Sequence, residues 1–452
     1  MLFERIESPG IAHYSYLVGD GSEAVVIDPR RDGEEYVERA FEAGMRIGHV
    51  LETHRHEDFV IGSAELAAKT GAAVWHADAQ WDYRYGRPVN DGRKWKLGSL
   101  TLEAIHSPGH TPGSMSYLLR DAAGAPWFLF TGDALFAGEV GRVDLLGMDR
   151  AREMAGLLYN TIHAKFLTLG DGVIVCPAHG AGSACGTAIA DRPWTTIGLE
   201  RASNPRLRYD TKEAFIEAVA RELERPPYFV EMERLNLAGA PPRGAPVVPP
   251  SLSPSEFEAQ SKDAVILDAR SELAYASAHV PGALFIWPEA VGAYAGWFLT
   301  YEKPILLVCE MKDADRTSRA LFRLGFDSIV GVLSGGMLAW SMAGRRTAST
   351  RTVSAHELKN VMSGGARVHF LDVRGEDELA RARPMAGARN IHITLLPGRL
   401  AEVPRERPLY IICGSGMRSM IGGSILERQG EHDTVVVLGG YAAWKASGPG
   451  VS

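Results

Sequence analysis

The sequence predicts an α/β protein built from three domains, and three observations carry this prediction. The N-terminal half places histidine or aspartate after each of four apolar, strand-like runs. A proline-rich segment then separates this half from the remainder of the chain. Beyond that segment, the same order of strand and helix patterns occurs twice. A chain of 452 residues is long enough for roughly three domains of ordinary size.

Composition narrows the class of protein and its partners. Hydrophobic residues make up 46% of the chain and charged residues 23%, values typical of a globular protein. The net charge is −7 and basic residues form no block, so we expect neither nucleic acid nor an anionic membrane surface as a partner. No signal-peptide pattern and no apolar run of about 18 residues occurs. With only four cysteines, the chain is expected to be cytoplasmic.

The first candidate site follows the first helix of the chain. Apolar runs on both sides of residues 19–22 predict a hairpin, residues 34–43 predict a helix, and Ile47–Leu51 reads as a buried strand. His54, His56 and Asp58 then occupy alternate positions, which an extended segment would place on one side. Two imidazoles and a carboxylate suit a divalent ion such as Zn, Fe or Mn. For this stretch alone, a solvated polar turn is an equal alternative.

Three later strand ends favour the metal site over the solvated turn. His110 lies in a loop rich in proline and glycine at residues 106–114. An apolar strand at residues 128–130 leads to Asp133, and another at residues 173–175 leads to His179. A polar turn explains any one of these clusters but does not readily explain all four. The sequence therefore predicts that they meet at one metal centre.

This order of histidine and aspartate resembles the metallo-β-lactamase fold, an αββα sandwich, over about residues 1–240. Within that superfamily, several stretches resemble the persulfide dioxygenase (sulfur dioxygenase) branch. Position 59 is phenylalanine, where most relatives with two zinc ions have histidine. The other stretches that carry the resemblance are Gly132–Phe136, Gly141–Asp144, Pro177–Gly180 and Leu199–Pro205.

The resemblance implies a mononuclear centre, with one Fe(II) per chain held by His54, His110 and Asp133. Such a facial triad leaves open positions for O2 and substrate together. Zinc is the alternative metal.

A second metal would need Asp58, His179 and a bridging Asp133, together with a fourth ligand that Phe59 cannot supply. We therefore expect His56, Asp58 and His179 to orient the ligands or metal-bound water.

The C-terminal part of the sequence is a duplication. Residues 241–254 contain six prolines and predict a semi-rigid linker. Beyond it, Asp268–Arg270 corresponds to Asp372–Arg374, and Cys309 corresponds to Cys413, at a period near 104 residues. Each unit reads as a small α/β domain with a parallel sheet. The two units, residues 255–347 and 352–452, both resemble the rhodanese domain.

The second of these units carries a candidate nucleophile, Cys413. It follows the apolar strand Leu409–Ile412 and opens a glycine-containing loop whose backbone N–H groups can form an anion-binding nest. The positive end of the next helix and the charge of Arg418 also favour the thiolate. The alternative for a lone cysteine is a buried core residue. The other residues expected to line the nest are Gly414, Ser415, Gly416, Met417 and Ser419.

The corresponding loop of the first unit departs from this pattern. Cys309 and Arg316 are seven positions apart, no glycine lies between them, and three acidic residues surround the thiol. These acids would raise the pKa of the Cys309 thiol. The sequence predicts a degenerate, non-catalytic copy.

Together, the resemblances imply a bifunctional sulfur enzyme. The first site would oxidise a low-molecular-weight thiol persulfide with O2 to sulfite, and Cys413 would exchange sulfane sulfur among persulfide, sulfite and thiosulfate. Glutathione, coenzyme A and other thiol carriers all remain open, and a homo-oligomer is compatible with the sequence. One alternative is a zinc thioesterase of the glyoxalase II type with a sulfur-carrier rhodanese. Another is a sulfur carrier whose metal domain is only structural.

Overall fold

A computed structural model describes residues 1–186, 188–243, 248–431 and 433–448 of the chain. The chain forms two compact units, residues 1–246 with 322–325 and residues 247–321 with 326–452. Within the described ranges, no helix combines the length and the apolar character that crossing a membrane requires.

The first unit contains twelve strands and six α-helices in its described part. The strands are β1 (Leu2–Ser8), β2 (His13–Asp20), β3 (Glu23–Ile27), β4 (Arg46–Leu51), β5 (Ala73–His76), β6 (Arg87–Pro88), β7 (Lys94–Leu97), β8 (Leu100–His106), β9 (Met115–Arg120), β10 (Pro126–Gly132), β11 (Ile174–Pro177) and β12 (Thr195–Thr196). The helices are α1 (Glu34–Glu42), α2 (Ser63–Thr70), α3 (Met148–Asn160), α4 (Ile197–Ser203), α5 (Lys212–Val219) and α6 (Phe229–Ala238). A π-helix at Thr161–Phe166 and a 3-10 helix at Pro205–Leu207 complete this unit.

The twelve strands form two mixed sheets of six strands each, in the orders β1-β2-β3-β4-β5-β6 and β12-β11-β10-β9-β8-β7. Side chains from both sheets share one central apolar cluster, which includes Val25 and Leu51 from the first sheet and Tyr117 and Phe130 from the second. The outer faces are covered by helices, α1 and α2 on the first sheet and α3 and α5 on the second. The predicted αββα sandwich is confirmed.

Strand β10 shows why the sequence folds into two layers of apolar side chains. Phe128 and Phe130 point into the central cluster, whereas Leu129 between them joins the outer cluster beside α3. Because side chains alternate along a strand, a continuous apolar run is needed when both faces of the sheet are covered.

The carboxyl ends of the central strands position the polar residues of the N-terminal half. Strands β10 and β11 pair in parallel as far as Gly132 and Pro177, with one irregularity after Phe130, so the residues that follow them leave the same edge. Gly132 has a φ of +53°, and a Cβ there would lie 2.7 Å from the side chain of Thr53. Only glycine lets the chain turn this closely past the end of β4.

The second unit contains two parallel sheets of five strands. Its strands are β13 (Ser251–Leu252), β14 (Val265–Asp268), β15 (Leu284–Phe285), β16 (Ile305–Val308), β17 (Ile329–Leu333), β18 (Arg351–Val353), β19 (His369–Asp372), β20 (Arg389–Asn390), β21 (Leu409–Ile412) and β22 (Thr434–Val437). Its α-helices are α7 (Pro254–Gln260), α8 (Glu272–Ser277), α9 (Val291–Phe298), α10 (Met311–Arg323), α11 (Gly336–Met342), α12 (Ala355–Ser363), α13 (Glu376–Arg381), α14 (Met417–Arg428) and α15 (Gly440–Ala446). Short 3-10 helices lie at Pro288–Ala290, Ile393–Gly398 and Leu400–Glu402.

The two sheets have the same strand order, β13-β17-β16-β14-β15 and β18-β22-β21-β19-β20. All the strand pairs in them are parallel. The repetition of one α/β topology confirms the two rhodanese-like domains that the duplicated motifs predict.

The predicted linker, residues 241–254, has an ordered C-terminal end. Residues 244–247 lie outside the described residues, as do the last four residues of the predicted domain 352–452. Ser251–Leu252 already pair with β17, and Ser253 caps α7 in a capping box with Glu256. The proline-rich composition therefore extends into the first strand and the first helix of the rhodanese-like fold.

Candidate metal centre and thiol site

The segment that follows β4 is bent rather than extended. The chain bends at residues 53–54 and again at residues 57–59. Both the backbone N–H and the hydroxyl of Thr53 donate to the Asp28 carboxylate, each over 2.7 Å. These bonds fix the start of the loop. Of the three side chains at alternate positions, His56 and Asp58 lie in one group of donor atoms and His54 in another, so the expectation of a single meeting point was wrong.

Hydrogen bonds set the tautomers of the two histidines that face the centre. The Thr53 hydroxyl donates its proton to Asp28. In its contact with Nδ1 of His54, 2.9 Å away, the Thr53 oxygen must therefore be the acceptor, and Nδ1 carries the proton. Nδ1 of His110 donates to the carbonyl oxygen of Arg142 over 2.9 Å. In the neutral ring of each histidine, Nε2 therefore keeps a free lone pair, the state in which imidazole binds a metal.

Asp133 presents one carboxylate oxygen to these two nitrogens. Its Oδ2 lies 3.8 Å from Nε2 of His54 and 3.6 Å from Nε2 of His110, and it has no hydrogen-bond partner among the described residues. Neighbouring ligands of one ion lie about 3 to 3.5 Å apart when the bonds are about 2.1 Å long. A buried carboxylate oxygen without a donor also calls for a cation. The donor set therefore fits a divalent metal ion.

A buried chain of charged groups holds Asp133 in place. Nδ1 of His179 lies 2.7 Å from Oδ1 of Asp133, and Nε2 of His179 lies 2.8 Å from the carboxylate of Asp58. Burial alone would lower the pKa of His179, but the two carboxylates outweigh it and raise this pKa well above its usual value. Burial likewise opposes ionisation of Asp133, yet His179, His54 and His110 hold the pKa of Asp133 well below its usual value.

The remaining predicted residue, His56, is held by the same aspartate that fixes Thr53. Its Nε2 lies 3.1 Å from Oδ1 of Asp28, and its ring lies 4.0 Å from the ring of His54. Burial would lower the pKa of His56, but Asp28 and then Asp58 raise it above its usual value. Of the predicted residues, His54, His110 and Asp133 thus form one group, and His56, Asp58 and His179 form a second group beside it.

Phe59 closes the second group on one side. Its side chain is fully buried, and its ring centroid lies 4.0 Å from that of His13 and 4.6 Å from that of His56. An apolar ring therefore fills the space beside this group. His13 begins strand β2, and its backbone forms an isolated antiparallel β-bridge with that of His179. Burial, together with His179 and His56, lowers the pKa of His13 well below its usual value, so its ring is neutral at pH 7.

Sequence reasoning missed three buried residues of this centre: Asp28, His13 and Glu57. Asp28 and His13 precede the motif by tens of residues, and no local pattern marks them. Glu57 lies inside the motif, but the alternation of an extended segment would turn it away from His54. The bends at residues 57–59 instead bring its carboxylate into a group with His54 and His110.

Cys413 lies at the end of β21, as predicted, and is fully buried. Its sulfur accepts a hydrogen bond from the backbone N–H of Gly416 over 3.1 Å. Gly416 has a φ of +96°, and a Cβ there would lie 3.0 Å from the backbone nitrogen of Gly439. Helix α14 begins at the next residue, so the loop places the sulfur at the positive end of that helix.

Arg418 lies beside this loop, and a carboxylate binds it. Both guanidinium nitrogens of Arg418 donate to Glu378, over 2.6 Å each. Burial would lower the pKa of the guanidinium, but Glu378 outweighs it and the pKa is raised. No sequence pattern marks this bidentate pair, because Glu378 lies in α13, forty residues earlier in the chain.

The first rhodanese-like domain packs against the second and brings Tyr294 within electrostatic reach of the second domain's thiol. Helix α9 packs against the 3-10 helix Ile393–Gly398. Burial raises the pKa of Tyr294 on α9, Arg418 lowers it, and Cys413 and Glu378 raise it further. Its hydroxyl therefore lies within electrostatic reach of the Cys413 sulfur.

Cys309, the counterpart of Cys413, has a different environment. Burial raises the pKa of the Cys309 thiol to about 12, with further contributions from Asp313, Asp268 and Glu310. The two acids of the loop act in the direction that the sequence predicts. At neutral pH this thiol is protonated and is a poor nucleophile.

Comparison with known proteins agrees with this architecture. The profile of the Metallo-beta-lactamase superfamily matches residues 9–179, and that of the Rhodanese-like domain matches residues 253–343 and 354–447. The chain belongs to the metallo-β-lactamase superfamily and carries two rhodanese-like domains.

Its relatives include enzymes of two kinds. The chain is 31% identical to persulfide dioxygenase ETHE1 of Bos taurus over 222 residues, 47% of this chain and 78% of that protein. It is 29% identical to hydroxyacylglutathione hydrolase GloC of Haemophilus influenzae over 214 residues, 43% of this chain and 91% of that protein. The chain also resembles a metallo-beta-lactamase from Staphylococcus aureus whose crystal structure is known. The two share 30% sequence identity and superpose with a TM-score of 0.66, over 73% of this chain and 98% of that chain.

Proposed function

We propose that the chain is a persulfide dioxygenase fused to a sulfurtransferase. The observation that carries the proposal is the buried Phe59 ring beside a three-donor centre of His54, His110 and Asp133. A second metal would need a donor where this ring lies. The similarity to ETHE1 supports the same choice. The proposed partners are a thiol persulfide, O2, sulfite and thiosulfate, and the proposed compartment is the cytoplasm.

The proposed oxidation is R–SSH + O2 + H2O → R–SH + SO3²⁻ + 2H⁺. When bound, Fe(II) would supply the redox chemistry with O2 and a binding position for the persulfide sulfur. The protein supplies three donors of fixed orientation. Two imidazoles are held in the metal-binding tautomer by Thr53 and by the carbonyl of Arg142, and His179 holds the carboxylate of Asp133.

The proposed second step takes place at Cys413. The Cys413 thiolate attacks the outer sulfur of a persulfide or of thiosulfate. The S–S bond of the donor breaks, and the leaving group is the donor's own thiolate (from a persulfide) or sulfite (from thiosulfate). Cys413 then carries the sulfane sulfur and passes it to sulfite or to a thiol in the reverse reaction. The N–H of Gly416 and the start of α14 favour the anionic sulfur in both forms.

Oxygen uptake tests the proposal. Protein loaded with Fe(II) should consume O2 when glutathione persulfide is added and should release sulfite. Uptake no greater than that of the His110→Ala variant would refute the dioxygenase. A Cys413→Ser variant should keep the O2 uptake and lose the transfer of sulfur from thiosulfate.

A zinc thioesterase of the glyoxalase II type is the second candidate. The group of His56, Asp58 and His179 favours it, because these donors also lie close enough together for one ion. The similarity to hydroxyacylglutathione hydrolases points the same way. In this case the purified protein would hold two zinc ions and would hydrolyse a glutathione thioester, with no O2 consumed.

A further inference from the structure

Glu57 brings an additional carboxylate to the proposed metal centre. Its side chain is 1% exposed, and its Oε1 accepts a hydrogen bond from Arg55 over 3.1 Å. The other oxygen, Oε2, has no hydrogen-bond partner in the described part of the chain. It lies 3.8 Å from Nε2 of His110, too far for a hydrogen bond. A buried carboxylate oxygen is costly unless a donor or a cation meets it.

The surroundings of Arg55 fix the direction in which Glu57 points. The guanidinium group also lies 3.0 Å from the carboxylate of Glu233, and it stacks over the ring of Trp81 at 4.6 Å. Arg55 is itself buried, so it has little freedom to move. With Oε1 held by this cation, Oε2 is turned toward His110 without any help from a metal.

The Glu57 carboxylate lies close to the same pair of imidazoles as Asp133. One donor atom each from His54, Glu57 and His110 lies within 4.8 Å of the others. The distance of 3.8 Å between Oε2 and His110 equals the distance between Oδ2 of Asp133 and His54. Oε2 of Glu57 and Oδ2 of Asp133 therefore both approach Nε2 of His110, at 3.8 and 3.6 Å, distances that a single ion can span with small shifts.

We propose that Glu57 is a fourth protein ligand of the ion held by His54, His110 and Asp133. This inference deepens the proposed function and rests on its single metal centre. Two neutral imidazoles and two carboxylates neutralise a divalent ion, whereas one carboxylate would leave a charge of +1. A six-coordinate ion then keeps two open positions, enough for one sulfur atom and one O2 molecule.

Metal affinity in the full-length protein tests the assignment. Fe(II) binding is measured by competition with a chelator under anaerobic conditions, in the wild type and in Glu57→Ala and Glu57→Gln variants. Loss of a ligand should weaken binding at least about tenfold in Glu57→Ala. Glu57→Gln keeps the shape of the side chain and a hydrogen-bond acceptor for Arg55, and it should also weaken binding because the carboxylate charge is gone.

Glu200→Gln is the matched control. It removes an equally buried carboxylate of the same unit, one that binds Arg192 and Asn204 and does not face the histidines, so it should bind Fe(II) as the wild type does. Sulfur transfer from thiosulfate, measured in the same preparations, reports whether the Cys413 domain is intact, and circular dichroism reports the folding of the whole chain.

A crystal structure of the Fe-loaded wild type gives a readout that needs no variant. The ion should lie about 2.1 Å from Oε2 of Glu57. Wild-type affinity in both Glu57 variants, or an Fe–O distance beyond about 3 Å, would overturn the assignment. Iron bound through Glu57 without persulfide-dependent O2 uptake would refute the proposed function and leave this inference standing. Persulfide-dependent O2 uptake, together with wild-type Fe(II) affinity in both Glu57 variants, would refute this inference and leave the proposed function standing.

Discussion

Replacing Phe59 by histidine should convert the proposed one-metal centre into a two-metal centre. The new imidazole would lie next to the group formed by His56, Asp58 and His179, and it would supply the donor that the phenylalanine ring now excludes. We expect the Phe59→His protein to bind a second equivalent of zinc, which the wild type does not bind.

The cost of this substitution can be worked out from the burial of Phe59. The side chain is fully buried, so losing its apolar surface costs about 2 kcal/mol, and an imidazole nitrogen without a partner costs about 1 kcal/mol more. At about 2–4 °C per kcal/mol for a unit of this size, the metal-free variant should melt about 6–12 °C below the wild type. Zinc at about 100 times its dissociation constant should restore about 2.7 kcal/mol.

The assay combines zinc titration with thermal melts of both proteins. Phe166→His is the matched control, because Phe166 is equally buried but packs in the outer apolar cluster beside α3. That variant should be destabilised without gaining a metal. If Phe59→His binds no more zinc than the wild type, and zinc raises its melting temperature no more than that of the wild type, Phe59 is not what limits the centre to one ion.

Three further predictions concern the C-terminal domains. Gly416→Ala should lose sulfur transfer and keep O2 uptake. A Cβ at φ +96° strains the loop by about 1–3 kcal/mol and meets the backbone of Gly439 at 3.0 Å. Equal rates of sulfur transfer in the wild type and the variant would contradict the proposal that this loop forms an anion-binding nest for the Cys413 sulfur. Tyr294→Phe should lower the rate of sulfur transfer and leave O2 uptake unchanged, with Tyr301→Phe as the control; equal rates in all three proteins would exclude a role for the Tyr294 hydroxyl. Cys309 should resist alkylation at pH 7 in a Cys413→Ser background and react faster only as the pH approaches about 12, since its thiol is protonated below that value; fast labelling at pH 7, read by mass spectrometry, would contradict this.

The sequence was sufficient for the fold because its signals are local or repeated. Apolar runs such as Phe128–Phe130 alternate between two clusters, and the residues after β10 and β11 meet because parallel strands end at one edge. The repetition of Asp268–Arg270 as Asp372–Arg374 predicted the two domains of the second unit, because motifs that recur at the same spacing indicate the same topology.

The details of the site depend on contacts between distant segments, which a single sequence does not encode in a readable pattern. Asp28 fixes the start of the metal loop by binding Thr53, and the later bends at residues 57–59 bring Glu57 toward His110 against the expected alternation. In the same way, Cys413 raises the pKa of Tyr294 only because two domains of similar sequence pack together. Residues of this kind become visible only once the packing is known.

The count and identity of metal ions in the purified wild-type protein test the central claim most directly. Elemental analysis by mass spectrometry, with the protein concentration determined independently, should give one iron per chain. Two zinc ions per chain would mean that the group of His56, Asp58 and His179 binds metal despite Phe59, and the proposed oxygen chemistry would be wrong.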